Sequence, residues 1–244
     1  MKSLNLEGSF ISKFFPIWKS SQTDLLEVIR WKPYLEDKIG KNMRKQSTLE
    51  HTHSFSLFAG TIAQMLDPFI FEKTGKHLDL LLLEYAFKWH DHSEGLKGKD
   101  IPAPLKRDED DVQEYHIFMN HIEDLPKQVK EKYEKAFLLQ FALNDNKLFP
   151  KEAKYIMENI LKKDYFYEVL IFTALEKYEY LFYPIEMEAN HDHLLTWVLR
   201  RQITGYQIYA EILPGFREIL FSRELEQRFL DYLREHKDVP ELKL

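Results

Sequence analysis

An all-α fold, a bundle of about eight or nine helices, is what the sequence predicts, on three observations. Apolar residues recur at helical spacing almost throughout, and strict strand-type alternation is rare. Glycine is scarce, with 8 in 244 residues, about 3% against a usual ~7%, which disfavours sandwiches and glycine-rich phosphate loops. Breakers at Pro33, Gly40, Pro68, Gly75, Gly98, Pro102, Pro104, Pro126, Pro150, Pro184, Pro214 and Pro240 leave segments of helix length between them.

The elements follow in order. Leu25, Leu26 and Ile29 form a first apolar stripe. Ser47, Thr48, Leu49 and Glu50 have the Ser-x-x-Glu form of a capping box, so Ser47 is the expected N-cap and His51 falls in the first turns of a helix. That helix continues through Leu57, Phe58, Ile62, Met65 and Leu66. A strongly apolar run at 78–87 ends in Trp89, His90, Asp91, His92, Ser93, Glu94 and Gly95. The charge run at 106–111 reads as a solvated loop and helix start. The aromatic stretch from Tyr165 to Tyr183 is expected to pack around a helix containing Glu176. Leu194, Leu195, Trp197, Val198 and Leu199, then Ile208, Ile212, Ile219 and Leu220, continue the helical pattern. With no repeat and no Gly/Ser linker, residues 1–244 are expected to form a single domain.

Composition narrows the chemistry. With no cysteine, disulfides, thiolate metal sites and cysteine nucleophiles are excluded, and an intracellular compartment fits. A metal must be held by nitrogen and oxygen. The 34 basic and 40 acidic residues give a net charge of −6, which opposes binding to a nucleic-acid polymer. Residues 1–18 lack a signal-peptide pattern and no continuous apolar membrane run stands out, so a soluble, cytoplasmic protein is expected, with no membrane partner.

Polar groups of metal-ligand type terminate the buried helix at His90 and Asp91. Adjacent helical side chains diverge by about 100°, so the two can meet at one ion only by flanking it; capping of the helix end is the alternative role. Glu94 returns to the same face.

Taken together, Glu50-His51, then His90-Asp91, Ser93-Glu94, and Asp100-Ile101-Pro102-x-Pro104-x-Lys106 resemble the HD-domain superfamily, and within it the 5′-deoxynucleotidase-like branch. The motif Glu-His-Ser reads Glu50-His51-Thr52 here, and Lys99 is inserted between Gly98 and Asp100. Arg30-Trp31 resembles the family's nucleotide-binding Arg-Trp pair. The last metal ligand of the family is the aspartate of an Ala-Asp-Lys-Leu-Glu-type helix, whose counterpart is Glu176 in Leu175-Glu176-Lys177-Tyr178-Glu179. The motifs span residues 30–179, and residues 186–244 are expected to add further helices.

The resemblance implies an HD-domain helical bundle with His51, His90, Asp91 and Glu176 as ligands. Two imidazoles and two carboxylates suit one divalent transition metal ion, Mn, Co, Fe, Ni or Zn, more than calcium. The implied reaction is hydrolysis of a (deoxy)nucleoside 5′-monophosphate to nucleoside and phosphate. Glu94 and Asp91 would be catalytic, with Glu94 activating water or relaying its proton. Arg30 would pair with phosphate and Asp100 with the sugar. Lys106 either adds positive charge or is a surface lysine, and Trp31 either stacks on a base or packs half-buried. A homodimer is implied, as in related enzymes.

Other HD chemistry, on cyclic nucleotides, alarmones or nucleoside triphosphates, is the nearest alternative. His116 or His121 would then hold a second metal. A non-catalytic binding protein on a degenerate HD scaffold is the other, with Glu176 as the sign of a lost ligand. His53 points away from His51, His92 lies at the mouth of the site, and His191-Asp192-His193 reads as a helix N-terminal region rather than a ligand set.

Overall fold

The computed structural model describes residues 16, 17, 19, 23–30, 45–101, 106–189 and 196–237. Trp31, the Pro102 and Pro104 pair and the His191-Asp192-His193 segment lie outside them. Eight α-helices of seven residues or more occur among the described residues, and no strand. The fold is all-α.

The first long helix, α1 (Thr48–Thr74), starts where the capping box places it. Ser47 Oγ accepts from the Glu50 N–H at 3.2 Å, and the Ser47 N–H donates to Glu50 Oε2 at 2.8 Å. It ends on Gly75, whose left-handed φ of 72° suits a residue without Cβ. Pro68 does not break it, contrary to the expected punctuation. Pro68 and Gln64, whose carbonyl loses its partner, both lie on the exposed face, where water can serve that carbonyl. Pro184 likewise sits inside a helix, in its first turn, where an N–H has no intrahelical partner to lose.

Next come α2 (Leu80–Trp89) and α3 (His92–Lys97), separated only by His90 and Asp91. They are followed by α4 (Asp108–His121) and α5 (Lys127–Leu138). The helix α6 (Lys151–Tyr155) runs on through a π turn, Ile156–Leu161, and a last α turn, Lys162–Asp164. Then follow α7 (Phe166–Glu179), α8 (Phe182–Ala189), α9 (Thr196–Ile212), α10 (Phe216–Ile219) and α11 (Arg223–Glu235).

Packing of α1 and α7 on α2, and of α2 on α5, makes α2 the central element. Its Leu83, Ala86 and Phe87 join Phe55 and Leu66 of α1 and Phe172 and Leu175 of α7 in a continuous core. Each fully buried side chain of this size contributes roughly 1.5–3 kcal/mol. Although α1 is long and apolar enough to cross a membrane by length and composition, one of its faces, including Phe55, Ala59, Ile62 and Leu66, is buried in this core. The polar end of α2 therefore opens where α1, α2 and α7 meet.

Candidate metal centre

His51 is held in the first turns of α1 by the capping box, and His90 by the C-terminal end of α2. Gln140 Nε2 donates to the His90 carbonyl and to that of Phe137, each at 3.1 Å, tying this corner to the end of α5. Asp91 begins α3 but makes no side-chain capping bond. Its carboxylate turns instead to the histidines, which decides between capping and clustering. Both Asp91 Oδ2–His51 Nε2 and Asp91 Oδ2–His90 Nε2 are 3.2 Å, and the two Nε2 atoms are 3.3 Å apart.

These three atoms form a triangle of acceptors. His90 Nδ1 lies 3.0 Å from the Phe87 carbonyl, which can only accept, so Nδ1 carries the proton and Nε2 presents a lone pair in the neutral ring. His51 Nδ1 lies 2.9 Å from Glu179 Oε2, an ion-pair contact without hydrogen-bond alignment, and a carboxylate at that nitrogen favours the proton on Nδ1 and the lone pair on Nε2. Asp91 Oδ2 is buried without a hydrogen bond. Acceptors so close repel unless a cation lies among them. Donors about 2.0–2.1 Å from an ion lie about 3.0 Å apart in octahedral and about 3.3 Å apart in tetrahedral placement, so the observed sides fit. His51, His90 and Asp91 could thus hold a metal ion.

Without a metal a proton can take the cation's place: burial opposes ionisation of Asp91, yet the His90 and His51 rings, when protonated, hold it well below the usual carboxylate range. Burial and the Arg30 charge press His51 toward neutrality, but Glu179 and Asp91 outweigh them and raise its proton affinity. A proton and a metal ion compete for this position.

Arg30 is 5% exposed, and its Nη1 lies 4.0 Å from Asp91 Oδ2. Its guanidinium carbon stands 5.1 Å from the Tyr180 ring centroid. The Nε and Nη1 groups are buried without a hydrogen-bond acceptor. A buried cation with donors in reserve beside that triangle could receive an anion.

Glu94 is buried, and its Oε2 lacks a partner. Burial first, then the charges of Asp91, Asp100 and Glu114, push its carboxyl well above the usual range, with Lys106 offsetting them in part. Asp100 is half-buried and near enough to influence Arg30, Glu94 and Tyr180. Lys106 is not a free surface lysine. Its Nζ lies 2.6 Å from Glu114 Oε2 and 3.4 Å from Asp111 Oδ1, while Lys97 Nζ reaches Glu114 Oε1 at 3.4 Å.

Glu176 is half-buried on the last turns of α7, where His90, Asp91, Lys106 and His51 all affect its charge. Burial raises its pKa. It approaches the triangle but does not belong to the tight three-residue group. His116 is exposed and His121 stands 5.2 Å, ring to ring, from His92, so neither joins the triangle. His92 is packed between Trp89 and Phe118 rather than open at a mouth. His53 is exposed, as expected.

Glu179 and Tyr180 are site residues that the sequence reading did not assign. Glu179 lies three residues after Glu176, hence on the same helical face, and that spacing was the available signal. Comparison with family models, with curated proteins and with solved structures gives no match.

Proposed function

We propose that this chain is a divalent-metal-dependent phosphohydrolase of the HD-domain type, converting (deoxy)nucleoside 5′-monophosphates to nucleoside and phosphate. The observation that carries this reading is the conjunction of the acceptor triangle His51, His90 and Asp91 with the buried, donor-rich Arg30 at 4.0 Å from it. Glu176, close to the triangle in charge if not in contact, is the proposed fourth ligand. The donor set favours Mn, Co, Fe, Ni or Zn over calcium.

The ion, when bound, supplies Lewis acidity toward a phosphoryl oxygen and toward water. Arg30 pairs with the remaining phosphoryl oxygens through Nε and Nη1, the two groups that the apo fold leaves unserved. Glu94 holds a proton more firmly than an exposed carboxyl and serves to take up and return one as water adds to phosphorus and the ester P–O bond breaks. Asp100 accepts from a sugar hydroxyl. Lys106 keeps the Glu94 side of the site from accumulating uncompensated negative charge. The same reading includes a homodimer and a cytoplasmic location, and leaves Trp31 as the proposed stacking partner for a base.

The test is phosphate release from ribo- and deoxynucleoside 5′-monophosphates by chelator-stripped protein resupplied with Mn, Co, Ni, Zn or Mg, with cyclic nucleotides and triphosphates alongside. Metal-dependent release that disappears in Asp91→Ala is the expected result. Silence on every substrate, with no metal retained, would overturn the proposal in favour of a binding protein on this scaffold.

A further inference from the structure

The two histidines of the triangle are anchored differently. His90 is fixed by a backbone carbonyl, that of Phe87, which no substitution removes. Around His51 the rings are Phe55, stacked at 5.9 Å, and Tyr180 at 6.3 Å. These set the plane of the imidazole but say nothing to its nitrogens. The Nδ1 contact at 2.9 Å is a side-chain carboxylate, Glu179 Oε2, brought in from the last residue of α7.

We propose that Glu179 is the positioning residue of the metal centre: its carboxylate, 2.9 Å from His51 Nδ1, favours the tautomer protonated there and aims Nε2 at the position shared with His90 and Asp91. The proposal rests on the metal-centre reading above and deepens it. Glu179 is not itself a ligand, because it touches the ring nitrogen remote from the triangle.

Two observations support this role: the 2.9 Å approach of Glu179 Oε2 to His51 Nδ1, and the 4% exposure of Glu179, which shelters that contact from competing water. An anionic partner on Nδ1 makes Nε2 a stronger donor to a metal, and losing such a partner typically costs 10- to 100-fold in metal affinity. Glu179 also lies near enough to act on Arg30, so the cation that would receive the substrate anion and the imidazole of His51 share one carboxylate.

The experiment is a Co(II) titration of chelator-stripped full-length chain, wild type beside Glu179→Gln and Glu179→Asp, read by competition with a chromophoric chelator and by the Co(II) absorption bands. Melting temperatures are recorded with and without Co(II). Glu179→Gln should bind Co(II) roughly 10- to 100-fold more weakly, with altered bands and a smaller metal-induced rise in melting temperature. A purely structural role would lower the metal-free melting temperature and leave the affinity unchanged. Glu179→Asp keeps the charge but falls one methylene short of Nδ1, and weakened binding is expected there too; it serves as the test if the Gln variant does not fold. Wild-type affinity in the folded variants would overturn the role of Glu179 alone. Failure of the wild-type chain to bind Co(II) would overturn the metal-centre reading first, and this inference with it.

Discussion

The Nε2 atoms of His51 and His90, 39 residues apart in the chain, face one another across 3.3 Å, while the opposite ring nitrogens each lie beside an acceptor oxygen, of Glu179 and of Phe87. Two lone pairs and a carboxylate oxygen meet there, so a divalent cation should stabilise the folded chain. At a hundredfold excess over Kd, binding to the native state alone contributes about 2.7 kcal/mol. Adding Mn, Co, Ni or Zn to stripped protein is expected to raise the melting temperature by several degrees. His90→Ala should abolish both that rise and phosphate release while still melting cooperatively. A metal response that persists in His90→Ala would remove the triangle as its source.

Arg30 makes the second prediction. Its buried Nε and Nη1 groups lack acceptors, but its charge also compensates Asp91 and Glu179, so Arg30→Met is expected to lower stability as well. Beyond that loss it should weaken binding of the phosphoryl group by about 1.5–3 kcal/mol, roughly 10- to 150-fold in kcat/KM. Steady-state kinetics with urea unfolding of the same variant separates the two. Unchanged kcat/KM would dismiss Arg30 as an anion site.

Much of this centre was legible from local rules. The capping box at Ser47 and Glu50 fixes the start of α1, and thereby His51, to the residue. The apolar run ending at Trp89 fixes where His90 and Asp91 emerge. What spacing on one helix could not show is that α2 stops at Trp89 and α3 restarts at His92. That corner brings neighbouring side chains closer together than the ~100° divergence along a continuous helix, where they could only flank an ion.

The choice between Glu176 and Glu179 was also beyond the sequence. Both lie on one face of α7, and only the packing of α7 against α1 puts Glu179 on His51 Nδ1. Lys106 read as loop charge because its partners, Asp111 and Glu114, are supplied by the following helix folding back. Pro68 misled as punctuation because a proline on an exposed helix face leaves a carbonyl that water can satisfy.

Acid should destabilise the chain through His92. Burial, reinforced by the nearby His121, pushes its pKa down to about 3, against about 6.5 in an unfolded chain. Between these values the unfolded chain binds a proton that the fold refuses, so stability rises with pH. The contribution is complete above about pH 6.5 and is lost progressively as pH falls toward about 3, at up to about 1.4 kcal/mol per pH unit. Urea midpoints measured across this window should therefore fall with acid in the wild type and less steeply in His92→Gln. Parallel slopes would mean that His92 is not the group responsible.

Two glycines should respond to alanine with opposite signs. Gly60 sits within α1 with nothing within 4 Å of where a Cβ would stand, so Gly60→Ala should gain the helix-propensity difference, about 0.5–1 kcal/mol. Gly95 lies in α3, one residue past Glu94, and a Cβ there would meet Leu25 Cδ2 at 2.9 Å and the Leu25 backbone N at 3.1 Å. The side chain of Leu25 is buried, and its backbone belongs to the segment that leads to Arg30. Relief must therefore come from shifting one backbone against the other, at roughly 1–3 kcal/mol, which exceeds the propensity gain. Gly95→Ala is expected to lower the urea midpoint, and also to lower kcat/KM because the displacement separates Glu94 from Arg30. Gly60→Ala, on the same assays, should raise the midpoint and leave kcat/KM alone. A Gly95→Ala protein as stable and active as wild type would show that the close approach of α3 to the Leu25 segment does not hold the site together.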